Sequence, residues 1–412
     1  MKIYMFNTWF GDCFQIENDT SNLIIDFGIH KSSKLGNGLK RDDIHKDIAK
    51  EIISYTKKPN LLITHYHEDH YSGLLYMMNE SITNPGYVNV FKNVYIPDVW
   101  GIPESTKIVA LHLLEDLLRG CKLDKRKCTL LEFVKFLCGN VCNIVFTHRG
   151  TKVEDELYIA LWPDSNELGI AANSLINDLR LAGYSFYNSL IEIAKDLSEL
   201  MLERVRENLQ NRTVQGLERY IRRLAGIEER LNMLFNNEMI REMASENSDD
   251  ETESDILTYL NSFKNKISIV FHNIENDANK NLLFTGDIEA KYMNIIAMNY
   301  DGNTLCNMHT KYCYIKIPHH GTQGSGSTVH YYNFYSYQPK VYMIPNGECT
   351  KNPAYQIDSE YANVGIYTTS KQAKMYCSNC NWCQNNPGKT RISCLCSIHD
   401  LIFPKGKIIV SP

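Results

Sequence analysis

Short apolar runs separated by polar turns open the chain. Lys2 to Phe6, Cys13 to Ile16 and Leu23 to Asp26 have the length and alternation of strands, and Leu61 to Thr64, Val90 to Ile96, Asn143 to Thr147 and Leu157 to Leu161 continue the series. Helical spacing appears between them, at Asp43 to Thr56, Leu74 to Met78 and Thr106 to Arg119. Strands alternating with helices predict a layered α/β protein.

The pattern changes after Pro163. No proline occurs before Pro318, and Ala171 to Met243 reads as helix. Leu190, Ile193, Leu197, Leu200 and Met201 make one apolar stripe, which Leu217, Tyr220, Ile221, Leu224 and Ile227 repeat. The acidic stretch Ser245 to Asp255 breaks the pattern and reads as a mobile loop. The expected organisation is a core domain from residues 1–165 and 264–376, a helical hairpin or bundle inserted over 166–263 (Asn166 to Phe263), and a cysteine-rich segment over 377–412. Arg204, Arg206, Arg212, Arg219, Arg222, Arg223 and Arg230 are interleaved with Glu203, Glu207, Glu218, Glu228 and Glu229. Mixed signs at helical spacing indicate a solvated, ion-paired face more than a nucleic-acid patch. Dimerisation, a lid over the active site, or contact with a partner protein are the alternative uses expected of this insertion.

Composition narrows the setting. The chain has 412 residues, 43% of them hydrophobic, with a net charge of −5 and a pI near 6.2. That balance offers no global attraction to nucleic acid or anionic membranes. No apolar run approaches 18 residues, so no membrane span is expected, and Met1 to Phe6 lacks the form of a secretion signal. The thirteen cysteines of a large chain without such a signal are expected to be thiols or metal ligands, which points to the cytoplasm.

Chemistry concentrates in Thr64-His65-Tyr66-His67-Glu68-Asp69-His70, between the apolar run Leu61-Leu62-Ile63 and a helical stretch. In extended backbone, alternate residues share a side, so His65, His67 and Asp69 converge on one cavity while His70 begins the turn. Imidazole with carboxylate suits zinc, manganese or iron better than calcium or magnesium.

The pattern His-x-His-x-Asp-His at His65, His67, Asp69 and His70 resembles the metallo-β-lactamase superfamily. Asn22 to Gly28, Leu282 to Asp287 and Ile315 to Thr322 resemble further segments in the same order. The last of these, with Leu161-Trp162-Pro163 and Asn265 to Phe271, is similar to the branch containing the periplasmic domain of the DNA-uptake channel ComEC; Asn352-Pro353 and Tyr367-Thr368 are weaker counterparts. Unlike that membrane channel, this chain is expected to be free-standing. The resemblance implies an α/β (α+β) fold, a four-layer αββα sandwich with two sheets face to face and helices outside. It implies two divalent ions, zinc or manganese: His65 and His67 on one, Asp69 and His70 on the second, Asp287 bridging, and His319 or His320 completing the second. A pair about 3.5–4 Å apart lowers the pKa of bound water towards about 7 and makes hydroxide available for hydrolysis. Asp69 is the expected catalytic residue. The histidine that most of the superfamily places after a proline-glycine turn is missing; Trp162-Pro163-Asp164-Ser165 stands there, with Asp164, His148 and His272 as substitutes to consider.

After the histidine pair, Gly321 to Ser327 offers backbone N–H groups and hydroxyls, Thr322 first, for a phosphate or oxyanion. Cys377, Cys380, Cys383, Cys394, Cys396 and His399 have the spacing of a structural zinc site. The leading functional expectation is a metal-dependent phosphodiesterase, above all a nuclease. The alternatives are a hydrolase of a small ester, thioester, lactone or signalling nucleotide, or a regulatory subunit acting only with partner proteins, as in bacterial defence clusters.

Overall fold

The computed structural model describes the chain except residues 7, 9–10, 32, 34–39, 124–127, 141, 208–213, 247–255, 322–333, 346–355, 358–364, 369–373, 376–406 and 411–412. Strands β1 (Lys2–Phe6), β2 (Phe14–Glu17), β3 (Asn22–Ile25), β4 (Asn60–Leu62), β5 (Asn93–Pro97) and β6 (Asn143–Thr147) fall in one sheet. Then come β7 (Lys152–Val153), β8 (Tyr158–Trp162), β9 (Val270–Asn273), β10 (Leu282–Phe284), β11 (Tyr314–Lys316) and β12 (Val341–Ile344), in a second. β14 (Gly365–Thr368) joins the second sheet, β16 (Lys407–Val410) joins the first, and β13 (Gln356–Ile357) pairs with β15 (Lys374–Met375).

Each seven-stranded sheet is part antiparallel and part parallel. The first runs β16-β1-β2-β3-β4-β5-β6, with β3 to β6 parallel; the second runs β14-β12-β11-β10-β9-β8-β7, with β10, β11, β12 and β14 parallel. Parallel neighbours need long crossovers. In the first sheet α1 (Arg41–Ile53), α2 (Glu68–Glu80), α3 (Ser105–Lys122) and α4 (Thr129–Gly139) supply them. Helices α5 (Ser165–Asp178), α6 (Ser185–Arg206), α7 (Val214–Phe235), α8 (Glu238–Glu246) and α9 (Ile256–Lys266) lie between β8 and β9, which pair directly; α10 (Ala290–Met298) follows β10.

The period of two along each strand divides the core. Leu23, Ile25, Leu62 and Tyr95 share one buried cluster with Ala160, Phe271, Leu282, Phe284 and Tyr314 of the other sheet, so the two sheets face each other. Phe14 meets Phe284 edge-on at 5.3 Å between ring centres, and Phe271 stacks on Phe284 at 5.2 Å. The intervening residues Ile24, Leu61, Ile63, Val94 and Ile96 pack outward under helices α1 to α9. On the far side Ile159, Leu161, Leu283 and Ile315 pack under Ala290, Tyr292, Met293 and Ile296 of α10. Each fully buried side chain of this kind stabilises the fold by roughly 1.5–3 kcal/mol. Among the described residues no helix is long and apolar enough to cross a membrane.

The mixed α/β class agrees with the sequence pattern, and the differences are local. The helical region is broken, not continuous, and begins six residues early. Asp164 accepts from the backbone N–H groups of Asn166 and Glu167 and starts α5 at Ser165, while Arg180 turns left-handed (φ 50°) ahead of a short 3₁₀ turn at Leu181–Gly183. Leu190, Ile193, Leu197, Leu200 and Met201 are buried as their spacing predicts, but Ile221 is exposed, because its neighbour Tyr220 takes the inward position. Asn265 and Lys266 end α9 and do not begin a strand; β9 starts at Val270. Arg204 is no solvated arginine. It is buried and donates to the carbonyls of Leu137, Asn140 and Cys142 behind α4. Arg219 and Arg223 do pair with Glu203, and Arg230 with Asp196. Most of the acidic stretch expected to be a loop, 247–255, lies outside the described residues; α8 covers its first two residues.

Candidate metal centre

Four parallel strands aim their C-terminal ends at one point: β3 leads to Asp26, β4 to His65, β10 to Asp287 and β11 to His319 and His320. Strand ends of this kind are where open α/β sheets collect functional groups. Close backbone approach assembles them. A Cβ on Gly28 would lie 2.3 Å from the Asp69 carbonyl, and one on Gly11 would lie 2.4 Å from the Gly28 carbonyl oxygen. Only glycine permits this contact. Backbone hydrogen bonds from Asp12 to the Asp69 carbonyl, from Gly28 to the Asp12 carbonyl and from Phe27 to the His70 carbonyl then lock the start of α2 against the strand ends.

Asp26 is the hub beneath. Its φ is +57°, and its carboxylate accepts from the Thr64 backbone N–H (2.7 Å), the Thr64 hydroxyl (2.8 Å) and His70 Nδ1 (2.8 Å). The backbone of His319 and His320 is left-handed too, at φ 50° and 53°. Such conformations cost on the order of 1–3 kcal/mol each and mark places where side-chain aim outweighs local preference.

Above this frame the donors converge. Asp287 Oδ2 lies 3.3 Å from His70 Nε2, 3.6 Å from His320 Nε2 and 3.9 Å from His65 Nε2. Asp69 Oδ2 lies 3.3 Å from His320 Nε2, and His65 Nε2 lies 2.8 Å from His67 Nδ1. His65, His70 and Asp287 form one buried group able to hold a metal ion, and Asp69, His70 and His320 another, with donor atoms within 4.8 Å of each other. Asp12, Asp26 and His70 make a third such group. Asp69 arrives by a different route from the one its spacing suggests. The extended segment ends at His67, and Glu68 and Asp69 enter the first turn of α2, where carboxylates are favoured. His320, not His319, enters the cluster. His319 gives its backbone N–H to Asp287 Oδ1 at 3.2 Å, and its side chain lines the cavity above.

The electrostatics reveal what the cluster lacks. Asp12, Asp26, Asp69 and Asp287 are all buried. Lys316, equally buried, lies 2.6 Å from Asp12 and 3.2 Å from Asp287, which push its pKa up to about 12 against the effect of burial. His70 is held well above the usual histidine range: burial opposes its charge, but Asp287, Asp26 and Asp12 outweigh it. His320 is pushed up to about 10, with burial again opposing and Asp287 and Asp12 prevailing. His65, by contrast, is driven well below the usual range by burial and by the neighbouring His70. Without metal, these carboxylates draw protons onto imidazoles to offset their charge. A bound cation offsets the same charge without them, so the donor set fits a metal ion.

A cavity of about 370 Å³ opens above the cluster. His67, Asp69, Asp287, His319 and His320 form its floor; Arg41 and Glu68, paired at 3.1 Å, stand at one side, and α3 and α9 form another wall with Glu115, Asp116, Arg119, Asn261 and Lys264.

The three substitutes for the missing histidine lie elsewhere. Asp164 caps α5, His148 is half-exposed beside Asp98 (3.3 Å), and His272 hydrogen-bonds Tyr312 and stacks on His309. Thr322, the rest of the Gly/Ser run after Gly321, Asn352-Pro353, and Cys377, Cys380, Cys383, Cys394, Cys396 and His399 lie outside the described residues; Tyr367 and Thr368 close β14. Sequence reasoning assigned no role to Asp12, Lys316, Glu115 or Lys264. Lys316 had a signal, a lone charge inside the apolar strand Tyr314-Ile315-Lys316-Ile317; Asp12, in a plain Gly-Asp turn, had none. The sequence matches no protein-family model and no curated protein.

Proposed function

We propose that this chain is a metal-dependent hydrolase, a phosphodiesterase or nuclease, built on the four-layer αββα plan of metallo-β-lactamase-like proteins. The observation that carries the proposal is the buried convergence of Asp69, His70, His65, His320 and Asp287 at a cavity floor. In this reading His65 and His67 would hold one divalent ion and Asp69, His70 and His320 a second, with Asp287 contributing its carboxylate to the site and zinc or manganese the fitting metals. Bound there, such ions supply Lewis acidity for activating water and for stabilising charge on the departing oxygen.

The chain's own groups prepare that chemistry. Asp26 accepts the hydrogen bond from His70 Nδ1–H, so Nε2 faces inward. The Thr64 hydroxyl stands 3.1 Å from His65 Nδ1 and fixes that ring in the same way. Lys316 and the His319 backbone N–H occupy Asp287 Oδ1, which leaves Oδ2 for the imidazole side. Asp69, on the cavity floor, orients the attacking water as a hydrogen-bond acceptor. Lys31 and Arg41 in the cavity wall favour an anionic ester. The cavity volume supports a second reading, a small ester or nucleotide as substrate, since it falls in the range of small-ligand sites.

The test is hydrolysis of single-stranded DNA and of chromogenic phosphodiesters and thioesters by the purified chain with manganese or zinc. Metal-dependent cleavage of a phosphodiester, abolished by Asp69→Ala, is expected. Cleavage of thioesters alone would favour the second reading, and no hydrolysis of any substrate would overturn both.

A further inference from the structure

The wall opposite the cluster is a second buried ionic lattice, and its parts have unequal tasks. Asp116 of α3 accepts from the Cys128 thiol (3.2 Å), the Thr129 hydroxyl (2.8 Å) and the Leu130 backbone N–H (2.9 Å), and so holds the start of α4. Glu115 has no such backbone duty. It is 1% exposed and ion-paired with the side chains of Lys264 and Arg119. A carboxylate buried among Leu111, Leu114, Leu117 and Leu118 of its own helix is an expensive way to pack a core, because apolar residues of similar volume serve as well or better.

On the other side of the cavity, His67 presents the complementary need. Its Nδ1 faces His65 Nε2, so its Nε2 points away from the cluster; that atom is buried and has no hydrogen-bond partner among the described residues. An imidazole that ligates through Nδ1 must carry its proton on Nε2, and a buried donor needs an acceptor. Glu115 lines the same cavity as His67, and of all charged groups it acts on His67 most strongly, after the effect of burial itself. Lys264 and Arg119 hold Glu115 far below the usual carboxylate range against the effect of burial, so it is a permanent acceptor. With two acids and two bases, the lattice is already neutral, which argues against its serving as an anion subsite.

We infer that Glu115 is the positioning residue for His67, accepting the Nε2–H hydrogen bond directly or across one water, so that helix α3 sets the aim and basicity of a ligand delivered by the strand end. This inference rests on the metal reading above and adds a residue from the helical layer to it.

The experiment titrates zinc and cobalt into the full metal-stripped chain, following heat and the cobalt d–d absorption, in wild type, Glu115→Gln, Asp116→Asn, His67→Ala and the double variant His67→Ala/Glu115→Gln. Metal-free thermal unfolding is recorded for each. Loss of such an outer partner weakens metal affinity roughly 10–100-fold. Glu115→Gln is expected to show that loss and a shifted cobalt spectrum, Asp116→Asn to lower thermal stability with affinity unchanged, and Glu115→Gln to add nothing once His67 is gone. Wild-type affinity in Glu115→Gln, an equal loss in Asp116→Asn, or additive effects in the double variant would each overturn the inference. Failure of the wild type to bind either metal would instead overturn the metal reading on which it rests.

Discussion

Two buried ionic clusters face each other across one cavity, and they balance charge in opposite ways. Along α3 and α9, Glu115 and Asp116 are met by Arg119 and Lys264, acid for base. At the strand ends, Asp12, Asp26, Asp69 and Asp287 gather around Lys316 and a set of imidazoles. The first cluster is complete as the chain folds. The second is complete only with protons or a cation added, and that deficit distinguishes a site from a brace. The histidines repeat the contrast. His70 and His320, beside carboxylates that outweigh burial, are held protonated, whereas His45, His112 and His272, also buried but with cations or another imidazole beside them, are held neutral. Burial alone does not decide the charge state; the neighbours do.

The contrast predicts effects of graded size. On the proposed hydrolase reading, Asp287→Asn, which removes charge at the centre of the donor set, is expected to cost at least ~100-fold in activity, because a metal held there would supply several kcal/mol of transition-state stabilisation; the measurement is kcat/KM beside metal content. Lys264→Met breaks the balanced cluster and leaves Glu115 and Asp116 uncompensated, so unfolding in denaturant should show a loss of about 3–5 kcal/mol. If the lattice is only a brace for Asp116, metal affinity in this variant should survive wherever the fold does.

The neutral histidines give a smaller, pH-dependent effect. Burial, with Arg41 adding to it, pushes His45 down to about 3; burial and Lys264 push His112 to about 4; burial and His309 push His272 to about 3. The unfolded chain takes up these protons near pH 6.5 and the folded chain does not. Their contribution is therefore full above about 6.5 and is lost as pH falls from there towards 4, by up to about 1.4 kcal/mol per pH unit for each histidine. His112→Gln should flatten the slope of stability against pH over that window; an unchanged slope would count against a neutral His112. Smallest of all, Lys2→Ala removes an exposed pair with Glu17 and should change stability by less than about 1 kcal/mol.

Much of the strand-end cluster was legible in the sequence because it is local. His65, His67, Asp69 and His70 fall within six consecutive positions after an apolar strand, and Asp287 and the histidine pair follow strands of their own. Spacing could not reveal which of His319 and His320 turns inward, since left-handed backbone at both residues decides it. Nor could it place Asp69 on a helix, where the convergence comes from α2 and from the Gly28 contact in place of strand alternation. The opposite wall was illegible for a different reason. Glu115 and Lys264 are 149 positions apart and each sits in an ordinary helical pattern, so only the packing of α9 against α3 brings them together. Arg204 was misjudged for the same cause: its sequence neighbours are charged, but its contacts lie on α4.

The most direct test of the account is the metal itself. Elemental analysis of chain purified without chelator, combined with anomalous scattering from its crystals, should find a transition metal bound between Asp287 Oδ2 and the imidazoles of His65, His70 and His320, and should find it lost in Asp287→Asn. A chain that binds no transition metal even when soaked in zinc and manganese, with those side chains collapsed on one another as ion pairs, would contradict it.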